Sequence, residues 1–118
     1  MLAEAITYLH SHNVIHRDLK PDNIGFDKNG ILKVFDFDIA RHVNVESTKY
    51  ESTTRTIKTS SIRRMKAEDE TFHMTQKVGS PRYMSPECAR REPYNLKADV
   101  YSYGLLFHQI MTLQKPYD

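Results

Sequence analysis

Three observations in the 118-residue sequence predict an α+β fold that is mainly helical, with one short β-hairpin and a long connecting loop. Apolar residues recur at helical spacing near both ends. Two short strand-like runs flank Asp27-Lys28-Asn29-Gly30. Between Val43 and Lys77 no period of 2 or 3.6 survives, and Ser, Thr, Lys, Arg and Glu dominate.

Taken in order, Leu2, Ile6 and Leu9 mark one face of an amphipathic helix, with Ala3 and Ala5 as strong helix formers. No capping residue precedes it, so the expectation is the tail of a longer helix, cut on its N-terminal side. Val14-Ile15 is a short apolar run. Ile24 to Phe26 and Ile31 to Phe35 read as strands, and the Asn29-Gly30 turn signal joins them into a hairpin. That hairpin would place Asn23, at its entry, beside Asp36, at its exit. The polar stretch from 43 to 77 reads as a loop. Pro86 can open a short helix running to about Arg91, limited by Pro93. The last helix, about 97–113, carries Val100, Tyr101, Leu105, Phe107 and Ile110 around most of its circumference, so it is expected to be buried as the core.

Hydrophobic residues make up 39% of the chain and the mean hydropathy is −0.63, both low for a compact domain, so the chain is expected to be part of a larger fold. Seventeen Lys and Arg against fifteen Asp and Glu give +2, a surplus too small to argue for nucleic acid or an anionic membrane. Cys88 alone cannot form an internal disulfide, which fits a reducing compartment, so an intracellular protein, cytoplasmic or nuclear, is expected. No run approaches the roughly 20 apolar residues of a membrane helix, and the first residues lack the pattern of a signal peptide. The oligomeric state is left open.

The chemistry lies in His16-Arg17-Asp18-Leu19-Lys20-Pro21-Asp22-Asn23 and in Asp36-Phe37-Asp38. Together they offer acidic groups, an amide and a lysine. That set suits a reaction that must activate a hydroxyl and hold a metal-bound polyphosphate. Singly, Asp18 and Asn23 would be ordinary turn residues; their joint spacing argues otherwise.

In these motifs the chain resembles a eukaryotic protein kinase of the serine/threonine type, and specifically the middle of its C-terminal lobe. His16-Arg17-Asp18-Leu19 with Asn23 fits the catalytic loop (16–23). Asp36-Phe37 and Ser85-Pro86-Glu87 fit the start and close of the activation segment (36–87), which carries an insertion at about 43–77. Asp99, Tyr101, Ser102 and Gly104 resemble the start of the F helix. The resemblance implies that Asp18 accepts or orients the hydroxyl proton of a protein substrate, and that Lys20 reaches the transferring phosphoryl group of ATP. Asn23 and Asp36 would hold Mg²⁺. It implies that His16 packs beneath Phe37, that Asp99 bonds to the backbone near His16, and that Ser80 bonds to Asp18 and Lys20. Lys20-Pro21 and Ser80 point to serine/threonine specificity. Arg17 would pair with a phosphate in the activation segment, with Thr71 and Thr75 as candidate acceptors.

Three departures stand out. Asp38 replaces the usual glycine of the metal motif, Gly25 replaces a leucine expected beneath the adenine ring, and the activation segment is long. A Gly-rich loop and a Val-Ala-Ile-Lys strand do not occur. The 118 residues by themselves are therefore expected to fold marginally and not to transfer phosphate. The alternatives to a kinase are a pseudokinase or non-catalytic interaction module, or a truncated gene product without function.

Overall fold

The computed structural model describes residues 1–43, 71 and 78–117. Most of the expected loop, Thr75 included, lies outside the described residues.

Helix α1 spans Leu2–Ser11 and buries Ile6, with Leu2 packed partly against the same cluster. The chain then turns through Asn13 in the left-handed region into β1, Val14–Ile15. A single 3-10 turn, Pro21–Asn23, leads into β2, Ile24–Phe26, which pairs antiparallel with β3, Leu32–Val34. The hairpin is thus as expected, though its second strand is shorter. Phe26 faces Leu32, and Gly30, at φ +75°, supplies the left-handed residue in the turn. Asp27 closes it, its Oδ1 accepting the N–H groups of Asn29 at 2.8 Å and Ile31 at 3.0 Å. Strand β4, Arg41–His42, returns antiparallel to β1, a pairing that the sequence did not signal.

After a 3-10 turn at Pro81–Tyr83, α2 covers only Pro86–Ala89, two residues less than expected. Arg91 turns left-handed at φ +63°, and the Glu92 N–H returns to the Glu87 carbonyl, which ends the helix before Pro93 can. Helix α3 runs Lys97–Thr112, its first N–H accepted by the Asn95 side chain at 2.9 Å.

Helix α3 corrects the expectation of an all-round buried core. Its buried residues are Ala98, Asp99, Ser102 and Leu106, a stripe one turn apart. Val100, Phe107 and Ile110 are 51%, 52% and 62% exposed, while Leu105 and Tyr101 are half-buried, the Tyr101 hydroxyl 2.5 Å from that of Tyr117. Small and polar residues face inward because this helix is approached closely by backbone. The Ser102 hydroxyl donates to the carbonyl of Tyr83 at 2.7 Å, and Asp99 receives main-chain N–H groups. Apolar periodicity could not reveal a face chosen for hydrogen bonding.

The core lies in two clusters. Ile15, Val43, Tyr94, Leu96 and Ala98 form one, with Cys88 against it. Ile6, Leu19, Tyr83 and Leu106 form the other. Ile15 and Leu19 bracket residues 16–18, so the polar loop is pinned at both ends by side chains 0% and 1% exposed. Burying each contributes roughly 1.5–3 kcal/mol.

Candidate active site

Asp99 builds the site from below. Its carboxylate is 1% exposed and accepts the N–H of His16 at 2.8 Å and of Arg17 at 2.9 Å, with His10 Nε2 at 3.0 Å. A buried carboxylate is tolerable only when its lone pairs are engaged, and here three groups from two stretches engage them. The result is a sharp bend: Arg17 sits at φ +72°, a conformation that costs a non-glycine residue about 1–3 kcal/mol unless its surroundings hold it.

His16 is 0% exposed, and its ring stands edge-on to Phe37 at 4.9 Å. Its Nε2 donates to the carbonyl of Phe35 at 2.9 Å while Nδ1 accepts the N–H of Asp18 at 3.2 Å, an assignment made from the two partners. His16 therefore links the two motifs through the backbone and carries no proton to a substrate.

The bend presents Asp18. Oδ1 accepts both the N–H of Ser80 at 2.9 Å and its hydroxyl at 2.8 Å. Lys20 Nζ lies 3.3 Å from Oδ2, and the Asn23 amide nitrogen donates to Oδ2 at 3.2 Å and to the Asp18 carbonyl at 2.8 Å. Asp18 and Lys20 are 12% and 25% exposed at their side chains, enough to meet a ligand and little enough to be held in place. Asn23 is buried, and with its nitrogen committed to Asp18 it has its amide oxygen left for a cation.

Asp36 enters this arrangement through the hairpin: the N–H of Phe35 donates to the carbonyl of Asn23 at 2.8 Å, so the next residue begins beside Asn23. Asp36 and Asp38 are both exposed, linked by the Asp38 N–H to Asp36 Oδ1 at 3.4 Å. The left-handed residue is Asp36, at φ +57°, while Asp38 has negative φ and does not need glycine's freedom. Among the described residues no cluster of three or more His, Cys, Asp or Glu could hold a metal. An amide oxygen and a carboxylate suit instead a hard cation that keeps water and phosphate in its shell.

Gly25 lies on β2, opposite Lys33. The Phe35 ring lies against its backbone: a Cβ added there would come within 2.9 Å of the ring edge. Arg17 reaches away from the acidic groups. Nε donates to the Ile39 carbonyl at 2.5 Å and Nη1 to the Tyr94 hydroxyl at 3.1 Å. Burial pushes the Tyr94 hydroxyl up despite that guanidinium, and burial likewise pushes the Cys88 thiol up, so both stay protonated near neutral pH. Thr71 is exposed.

Sequence motifs announced most of these residues but passed over His10, Tyr94 and the role of Gly79. At φ +99°, a Cβ on Gly79 would lie 2.4 Å from the carbonyl oxygen of Arg17. Only glycine lets the 78–80 stretch approach closely enough for Ser80 to reach Asp18. A Gly before a hydroxyl residue is too common a pair to signal this.

Residues 1–118 match the family model described as the protein kinase domain. The serine/threonine-protein kinase STY46 of Arabidopsis thaliana is 35% identical over 99% of the chain, which spans 16% of that protein. The dual specificity protein kinase shkB of Dictyostelium discoideum is 32% identical over 96% of the chain and is spanned to 14%. For the cAMP-dependent protein kinase type 3 of Saccharomyces cerevisiae the figures are 33%, 96% and 22%. The chain thus spans about a sixth of the length of the first two of these relatives.

Proposed function

The chain belongs to the protein kinase family, and on that premise we propose that it forms the middle of the C-terminal lobe of a serine/threonine protein kinase. The family generally uses ATP and Mg²⁺ and acts on protein substrates. The observation that carries the reading is the Asp18 carboxylate, oriented by Ser80 and Asn23 with Lys20 Nζ 3.3 Å away. Phosphoryl transfer asks the protein for positioning and charge more than for covalent chemistry.

In this reading the oxygen of a substrate serine or threonine attacks the γ-phosphorus. The bond to the bridging oxygen of the leaving ADP breaks, and the hydroxyl proton passes to Asp18. Lys20 offsets charge on the transferring phosphoryl oxygens. Asn23, through its amide oxygen, and Asp36 would hold Mg²⁺, which supplies charge neutralisation to the phosphates when bound. Ser80 and Asn23 fix the carboxylate so that it need not reorganise. The segment from Asp36 to Glu87 is then the activation segment, and Arg17 the receptor for a phosphate on Thr71 or Thr75. The single unpaired cysteine supports an intracellular setting.

The test uses the whole protein with ATP, Mg²⁺ and a serine-containing peptide. Asp18→Asn is expected to lower phosphate transfer by roughly 10²–10⁴-fold while leaving ATP affinity in place. Transfer undiminished by the substitution would sink the assignment. A second reading, a pseudokinase that binds nucleotide without transferring phosphate, is favoured by one observation, the extra exposed carboxylate of Asp38 beside Asp36. It predicts ATP binding with no labelled peptide in the unaltered protein.

A further inference from the structure

We infer that the cavity between the start of α2 and α3 is a binding site for one ordered water, which ties the Ser85 hydroxyl to the carboxylate of Asp99. The inference stands on the fold and does not need the kinase reading.

Its starting point is a hydroxyl out of place. Ser85 is 1% exposed, and among the described residues its Oγ is the buried side-chain polar atom that has no hydrogen-bond partner. Buried polar groups are nearly always paired, by protein or by water. A serine just before a helix that opens on proline would ordinarily cap it, yet Ser85 makes no side-chain cap bond to α2. Cys88 offers no substitute. Burial pushes its thiol up and the nearby Ser85 hydroxyl works against that push, but sulfur is a weak acceptor and the hydroxyl forms no hydrogen bond with it.

Ser85 lines a cavity of about 10 Å³, close to the volume one water needs, together with Arg17, Cys88, Tyr94, Asp99 and Ser102. The polar groups around it match the two donors and two acceptor sites of a water. An ionised carboxylate has about four accepting positions. On Asp99, Oδ2 meets the His16 N–H and His10, and Oδ1 meets the Arg17 N–H, so Oδ1 keeps one position. Ser102 commits its proton to the Tyr83 carbonyl at 2.7 Å, so its oxygen can accept. A water here accepts from Ser85 and donates to Asp99 Oδ1 and Ser102 Oγ, which leaves none of the three short of a partner. The bridge joins the two supports of Asp18. Ser85 closes the stretch that carries Ser80 to Asp18, and Asp99 sets the bend that presents Asp18.

The competing explanation is a hydroxyl left without a partner. A crystal structure of the whole protein that resolves ordered waters separates the two. The expected result is a water roughly 2.5–3.2 Å from Ser85 Oγ and from an oxygen of Asp99 or Ser102. Ser85→Ala should lose that water and leave the urea midpoint unchanged or lower, whereas removing a hydroxyl that had no partner would raise it. The same substitution should quicken hydrogen exchange at the Arg17 N–H several-fold, although Ser85 does not touch that group. A raised midpoint, a Ser85 hydroxyl turned to a protein acceptor with no water beside it, or Arg17 exchange unchanged by the substitution would each overturn the bridge. The kinase reading survives any of them, because it is tested separately through phosphate transfer by Asp18→Asn.

Discussion

The two motifs that meet at this site are built in opposite ways. Residues 16–23 are buried or half-buried over most of their length and are tied to distant stretches at Phe35, Ser80 and Asp99. Asp36-Phe37-Asp38 is exposed, and among the described residues its carboxylates have one contact, at 3.4 Å. The first is preorganised by the protein. In the proposed reading the second would be organised by a cation and its phosphate, since two carboxylates closed in together without a counterion would repel.

The largest expected effect comes from removing what preorganises the first motif. Asp99→Ala strands two buried N–H groups and releases Arg17 from its strained bend, at an expected cost of about 3–5 kcal/mol. Against a typical total of about 5–15 kcal/mol, that is a large lowering of the urea midpoint of the whole protein. Asp99→Asn should cost less, since one oxygen still accepts. A midpoint unchanged by Asp99→Ala would mean that the loop holds its shape without the carboxylate, and the contrast between the motifs would collapse.

Gly79→Ala comes next. The positive φ and the collision of the added Cβ with the Arg17 carbonyl force the segment outward, at an expected cost of about 1–3 kcal/mol. The Ser80 bonds to Asp18 lengthen with it, so kcat should fall by roughly tenfold or more while the Km for ATP changes little. A proportional rise in the ATP Km would place the effect on nucleotide binding and not on Asp18.

How far the site was legible in the sequence follows the same division. The side chains of the candidate site, Asp18, Lys20, Asn23 and Asp36, could be named from motif spacing, and the hairpin that brings Asn23 to Phe35 could be named from Asn29-Gly30. What spacing did not carry was packing between distant segments. The buried stripe of α3 was misjudged because Ala98, Asp99 and Ser102 face inward for hydrogen bonds and close approach, while Phe107 and Ile110 stay outside. The contact of Gly25 with Phe35 was hidden because the ring lies ten residues on, across a strand pair. Pairing of β1 with β4 was likewise hidden, since two-residue strands show no alternation.

A smaller change sharpens the exposed side. Asp38→Gly removes a charge beside Asp36 and adds backbone freedom that the negative φ of residue 38 does not call for. Stability should shift by no more than about 1 kcal/mol. The Mg²⁺ concentration for half-maximal ATP binding should move a few-fold, because one of two neighbouring carboxylates is gone. A large loss of stability would show that Asp38 is held by the fold and not left to the ligand.

The smallest effect belongs to the joint between the two motifs. Backbone N–H groups of Ile31 and Asn29 hold the Asp27 carboxyl below the usual carboxylate value of 3.8. A depressed folded value means that the contribution is present above the unfolded value and is lost as pH falls through the folded one. The hairpin should therefore be indifferent to pH between 8 and 5, to order of magnitude, and weaken only below about 4. Asp27→Asn keeps an accepting oxygen for both N–H groups, so it should remove that acid dependence while leaving the turn closed at neutral pH, read by hydrogen exchange at Ile31. Faster exchange at neutral pH in Asp27→Asn would show that the charge, and not the acceptor geometry, keeps Asn23 and Asp36 at one end of the strands.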